Sequence, residues 1–112
     1  ETEALKESLS GKGRIISTGG GIIERNDIRK MKNEKDIVVY IDTSLSILTS
    51  RLKNDISRPL LAENAVEKLR MLLNRREKIY NSQCDIKINA SEAIKDNTVS
   101  ILDGIIRKIN NR

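Results

Sequence analysis

The residue whose type and position most invite chemistry is Arg76. Val66, Leu69, Leu72, Leu73 and Tyr80 recur at helical spacing over about Ala65 to Gln83. At about 100° per residue Arg76 falls inside that apolar stripe, whereas its neighbour Arg75 points well off it. A guanidinium on an inward face must be paired or must line a cavity, because an isolated buried charge is costly. Its planar fork could grip a ligand carboxylate bidentately. An internal salt bridge to an Asp or Glu satisfies the same pattern.

Thr18-Gly19-Gly20-Gly21 follows the short apolar run Arg14 to Thr18, R-I-I-S-T. In α/β sheets ligands bind beyond the carboxyl ends of strands, where glycines allow φ > 0 and let a ligand approach bare main chain. A plain strand-to-helix connector uses glycines equally well. Arg51 and Arg58 form a third group, the latter in Arg58-Pro59-Leu60-Leu61 within a pattern-free stretch of about 55–64. Cations on a loop that closes over a ligand edge suit phosphoryl transfer, where negative charge must be neutralised and water excluded. A solvated charged loop explains the same residues. Asp42 could join a metal shell or cap the helix beginning at Ser44, and the cap is the expectation.

The elements that must position these residues alternate in hydrophobic period. A short helix is expected to about Leu9, a buried strand at Arg14 to Thr18, and a polar helix over about Arg25 to Lys32. Ile37 to Asp42, I-V-V-Y-I-D, has the β-branched character of a strand covered on both faces. Ser44 can cap a helix carrying Leu45, Leu48 and Leu52. After the long helix come a short strand at Asp85 to Asn89 and a final helix from about Thr98 to Asn110, with Val99, Leu102, Ile106 and Ile109 on one face. Strands alternating with helices predict an α/β fold with parallel strands. Three visible strands make a thin core.

With 112 residues the chain is one domain's worth. Its core must be aliphatic, since Phe and Trp are absent and Tyr40 and Tyr80 are the only aromatics, which removes any stacking platform for single-stranded nucleic acid. Without histidine, His-based triads and His metal ligands are excluded. A single cysteine, Cys84, excludes an internal disulfide, and a reducing, cytoplasmic setting is expected. The net charge of +5 suits an anionic partner, while the scattered Lys and Arg argue against a nucleic-acid face. No apolar run approaches the roughly 20 residues of a membrane span. The chain opens on Glu1-Thr2-Glu3 without an initiator Met, which points to a piece of a longer product.

Taken in order, these segments resemble the shikimate kinases. The resemblance is carried by I-I-S-T-G-G-G (Ile15 to Gly21), V-V-Y-I-D (Val38 to Asp42), R-L-K-N-D-I-S-R-P-L-L (Arg51 to Leu61), N-R-R-E-K-I-Y (Asn74 to Tyr80) and C-D-I-K-I (Cys84 to Ile88). It implies a P-loop kinase-like parallel sheet with helices on both faces. It also implies transfer of the γ-phosphoryl of ATP to the 3-hydroxyl of shikimate, with Mg²⁺, in aromatic amino acid biosynthesis. Gly19, Gly20 and Gly21 would contact shikimate through the backbone, and Arg76 would hold its carboxylate. Arg58 would reach the ATP phosphates from a lid at about 55–64. Arg51 would pack on the adenine, with the segment around Ser91 to Ala93 on its other side. Glu1 aligns with the end of the family's F-R-x-x-E element.

The departures bear on activity. The family's G-x-x-x-x-G-K-[ST] loop is nowhere in these 112 residues, nor is the aspartate pair that positions magnesium. In the family both lie in two preceding strand-plus-helix units, roughly 60 residues at about 30 per unit. The resemblance therefore implies the C-terminal part of one kinase domain, with three strands present, the central P-loop strand missing, and no activity alone. Its open edges would favour self-association or a complementary N-terminal fragment. The alternatives are a non-catalytic kinase-like binding or regulatory fragment, or a related small-metabolite kinase such as a gluconate kinase.

Overall fold

The computed structural model describes residues 2–53, 64–90 and 93–111. The chain divides into two compact units, residues 1–36 and 37–112, and each is described by itself. In the first, α1 (Thr2–Leu9) is followed by the one-turn helices α2 (Ile22–Arg25) and α3 (Ile28–Met31). Ser10 closes α1, its backbone N–H reaching Lys6 O at 3.2 Å and its hydroxyl donating to Glu7 O at 2.6 Å. Leu5, Ile22 and Ile28 are the buried apolar side chains of this unit. Asn26 Nδ2 ties its ends together, donating to Ile22 O at 2.9 Å and Thr2 Oγ1 at 3.2 Å.

Two expectations are corrected here. Arg14 to Thr18 is not a strand, and Ile15 is fully exposed. A β-branched run becomes a strand only when a neighbour accepts its amide bonds, and among the described residues no strand pairs with it. The polar helix expected over Arg25 to Lys32 starts earlier, at Ile22, and is cut in two at Asn26 and Asp27. Asp27 is the reason: its carboxylate accepts from Arg29 N at 3.1 Å and so starts α3 as a new N-cap. The hydrogen bond from the Arg29 guanidinium holds the Asp27 carboxyl below its ordinary value.

The second unit is built on two strands, β1 (Val39–Asp42) and β2 (Ile86–Asn89), paired in parallel with Val39 opposite Ile86 and Tyr40 opposite Lys87. Parallel strands cannot be joined by a tight turn. The chain between them runs through α4 (Leu45–Lys53) and α5 (Asn64–Gln83), and α6 (Ile94–Asn110) follows β2. Asp85 clamps the start of the pair. Its N–H donates to Val38 O at 2.8 Å and its Oδ2 accepts from Val38 N at 2.7 Å. Ser44 caps α4, accepting from Ile47 N at 3.3 Å. The described residues thus form a mixed α/β fold with two parallel strands rather than the three expected.

Side chains opposite one another in a parallel pair share a face. Ile86 and Ile88 therefore point one way and Tyr40 and Lys87 the other. Gly104 of α6 sits over Ile86 and Ile88, while Tyr80 of α5 meets Tyr40, so these helices lie on opposite faces of the pair. The apolar stripe noted on the last helix is not its packing face: Val99, Leu102, Ile106 and Ile109 are each more than half exposed. Ile101, Gly104 and Ile105, roughly a third of a turn round the helix, are the half-buried side. No described helix is long and apolar enough to cross a membrane.

A Cβ built on Gly104 would stand 3.0 Å from Ile86 Cγ2, a branched methyl with little freedom to move. Gly104→Leu is expected to destabilise by about 1–3 kcal/mol through overpacking, outweighing the helix-propensity gain of about 1 kcal/mol. Urea unfolding checks this, and an unchanged or raised midpoint would contradict the close approach.

Candidate functional site

The 20-residue helix α5 carries the candidate site's most informative side chain. Val66, Leu69, Leu72, Leu73, Arg76, Ile79 and Tyr80 are half-buried and Gln83 is buried, whereas Arg70, Met71, Arg75, Glu77 and Lys78 are exposed. Arg76 thus shares the inward stripe, where its Nε is closed off from solvent. Arg75 lies on the solvent side, as the helical spacing requires.

Tyr80, one turn beyond Arg76, places its ring against Tyr40 of β1 with centroids 4.9 Å apart and planes tilted by 39°. The Tyr40 hydroxyl donates to Asp42 Oδ1 at 3.2 Å. Lys87, opposite Tyr40 in the ladder, lies 3.6 Å from Asp42 Oδ2 and 5.7 Å from the Tyr40 ring centroid. Asp42 is therefore held by Tyr40 and Lys87, and the expected cap of α4 is supplied by Ser44 instead. Sequence reasoning did not single out this cluster. One signal was available: the chain's only two aromatics fall on an inward strand and on the inward stripe of α5.

Gly19, Gly20 and Gly21 belong to the first unit and lead into α2. Gly19 O accepts from Ile22 N at 3.5 Å and Gly21 O from Glu24 N at 3.2 Å. The freedom to take positive φ that glycine allows is not used here. Gly21 has φ −78°, and among the described residues Gly13, at φ +65°, is the one glycine in the left-handed region. What Gly19 to Gly21 offer is main chain without a Cβ.

Arg51 lies exposed in the last turn of α4. Next to it, Leu45, Ser46, Thr49 and Ser50 of α4 face Val66 of α5 across an open hollow of about 460 Å³. Ala93 is exposed and forms the N-cap of α6 with φ −79° and ψ 111° and no side-chain cap. Arg58 and nearly all of the expected lid, about 55–64, lie outside the described residues, as do Ser91 and Glu92. Among the described residues no three acidic or thiol side chains converge.

Burial is the first cause that pushes the Tyr40 hydroxyl up to about 12, with the Asp42 carboxylate and its hydrogen bond adding to it. The unfolded chain loses this proton near pH 10 and the folded chain keeps it to about 12. Folding stability is therefore undiminished by this group below pH 10 and falls as pH rises through that window. In a Tyr80→Phe variant the remaining tyrosinate absorbance is expected to rise late, towards pH 12, while circular dichroism still reports a folded chain. An ordinary midpoint near 10 would contradict the half-buried, Asp42-bonded Tyr40 hydroxyl.

Comparison with known proteins adds the context for this geometry. The sequence profile of the family described as Shikimate kinase matches residues 1–109. The chain is 35% identical over 113 residues to a shikimate kinase of Sulfurihydrogenibium sp. (strain YO3AOP1), a match covering 100% of this chain and 64% of that protein. It is 33% identical over 109 residues to the shikimate kinase of Geobacter sulfurreducens, covering 96% of this chain and 60% of that one. It is 36% identical over 108 residues to that of Persephonella marina, covering 96% and 64%. The chain thus spans about three-fifths of the length of the curated relatives it matches. No solved structure matches. A profile that runs from residue 1 to residue 109, through both described strands and into the last of the six described helices, leaves one assignment: the chain belongs to the shikimate kinase family.

Proposed function

We propose that these 112 residues are the shikimate-binding and lid-bearing part of a single kinase domain that moves the γ-phosphoryl of ATP to the 3-hydroxyl of shikimate. The observation that carries the reading is the half-buried guanidinium of Arg76 on the inward stripe of α5. A cation there serves a small acidic substrate better than it serves packing, since a hydrophobic side chain would fill the stripe without desolvating a charge. Arg76 binds the shikimate carboxylate as a planar fork, and the resemblance to the family gives the bare main chain of Gly19, Gly20 and Gly21 the role of a backbone contact to shikimate.

Phosphoryl transfer is mostly positioning and neutralisation of charge on the moving oxygens. In this reading Arg58 brings a cation to the ATP phosphates when the lid at about 55–64 closes, and Arg51 packs on the adenine opposite the segment that ends at Ala93. ATP and magnesium come with the family, whose G-x-x-x-x-G-K-[ST] phosphate loop does not occur in these 112 residues. Aliphatic surface left open on the described residues supports a part rather than a whole: Ile15, Ile41 and the outer stripe of α6 are all exposed. The same surface would drive self-association or recruitment of a complementary N-terminal fragment.

Two outcomes test the reading. In the full-length protein that contains this sequence, Arg76→Ala is expected to weaken shikimate binding by about tenfold to a hundredfold, the range of a lost charge-assisted hydrogen bond. ATP affinity should hardly change, and calorimetric titration with each ligand measures both; equal losses would remove the assigned role. The 112 residues alone are expected to turn over no ATP, and a rate comparable with the full-length protein would show that the absent phosphate loop is dispensable.

A further inference from the structure

The direction of Arg76 depends on how α5 is rotated about its own axis. Aliphatic contacts do not fix that angle well, because burial of apolar surface is non-directional. The magnitude matters. A guanidinium about 9 Å from the helix axis moves roughly 3 Å when the helix turns by about 20°. A shift of that size exceeds what substrate positioning tolerates, where a misplacement of about 1 Å can cost about a hundredfold.

One contact on α5 does have a preferred geometry. Tyr80 lies four residues after Arg76, so the two side chains stack on one face of the helix. Its ring meets that of Tyr40 at 4.9 Å with a 39° tilt, and aromatic pairs favour particular offsets and tilts where aliphatic ones do not. Tyr40 cannot drift to follow it. The strand ladder pairs it with Lys87, its hydroxyl is tied to Asp42 at 3.2 Å, and Lys87 holds the same carboxylate at 3.6 Å while lying 5.7 Å from the ring. The ring of Tyr40 is thus a fixed stop on β1, and Tyr80 is the point at which α5 registers against it.

We propose that Tyr40 and Tyr80 are positioning residues, a ring-on-ring stop that sets the rotation of α5 so that the Arg76 guanidinium is presented to the substrate carboxylate. They touch no substrate and act through Arg76. The proposal rests on the reading of Arg76 given above, and its test separates the two.

In the full-length protein, steady-state kinetics on Tyr80→Leu are expected to show a KM for shikimate raised about threefold to tenfold, the range of a lost aromatic pair. The KM for ATP should stay unchanged and kcat within about twofold, because the loss is of substrate binding. Tyr80→Phe keeps the ring and should restore the wild-type KM, which separates positioning from the hydroxyl. Tyr40→Leu removes the other half of the contact, should give the same pattern, and carries the test if Tyr80→Leu does not fold. In an Arg76→Ala background the leucine substitution should add nothing, since there is no guanidinium left to aim. The proposal is overturned if the leucine variants leave the shikimate KM alone, or raise both KM values and lower kcat together. It is also overturned if they act by the same factor with and without Arg76. Should Arg76→Ala itself leave shikimate affinity intact, the reading of that arginine fails and takes the proposal with it.

Discussion

The seating of α5 on the inner face of β1 is the constraint on which the second unit depends. A parallel pair has no hairpin to hold it, so its strands stay together only if the crossover packs back onto them. Here the join is made at two points. At the helix end, Asp85 takes both the N–H and the C=O of Val38, which pins the exit of α5 to the start of β1 within two residues of Gln83. Along the helix, Tyr80 meets Tyr40. The first contact fixes where α5 stops, and the second fixes which way its stripe faces. Arg76 inherits its inward place from both.

On the opposite face the packing is different in kind. Gly104 lets α6 approach Ile86 and Ile88 so closely that a methyl group would touch, and Ile88 is buried there. Beyond that contact the face runs out of cover. Ile41, in register with Ile88, is half exposed, and the second apolar stripe of α6 points away from the strands. In the first unit, Ile15 extends fully into solvent from a segment with strand composition and no strand partner among the described residues. Aliphatic surface is thus exposed at these places in a chain that spans about three-fifths of the length of the curated relatives it matches.

Much of this was legible in the residues, and the failures have physical causes. The strand at Val39, the strand at Ile86 and the helix over Asn64–Gln83 were readable because each holds one period strongly enough to survive without context. The inward place of Arg76 followed from arithmetic on that helix. Arg14 to Thr18 was misread because a strand is a property of a pair, and β-branched residues state only a preference. The break at Asp27 was missed because a mid-segment aspartate can solvate a helix surface or begin a new helix, and only the Arg29 N–H reveals which. The last helix has two apolar sides, Ile101 with Ile105 and Val99 with Leu102, and composition does not say which one the sheet takes. The Tyr40 and Tyr80 contact links residues forty apart in the chain. Their rarity hinted at it, but a tertiary contact is not a local signal.

A crystal structure of the full-length protein with shikimate bound tests the central claim most directly. The account predicts the ligand carboxylate on the Arg76 guanidinium in a bidentate pair at about 2.7–2.9 Å. A carboxylate held by another cation, with Arg76 turned to an internal Asp or Glu, would contradict it.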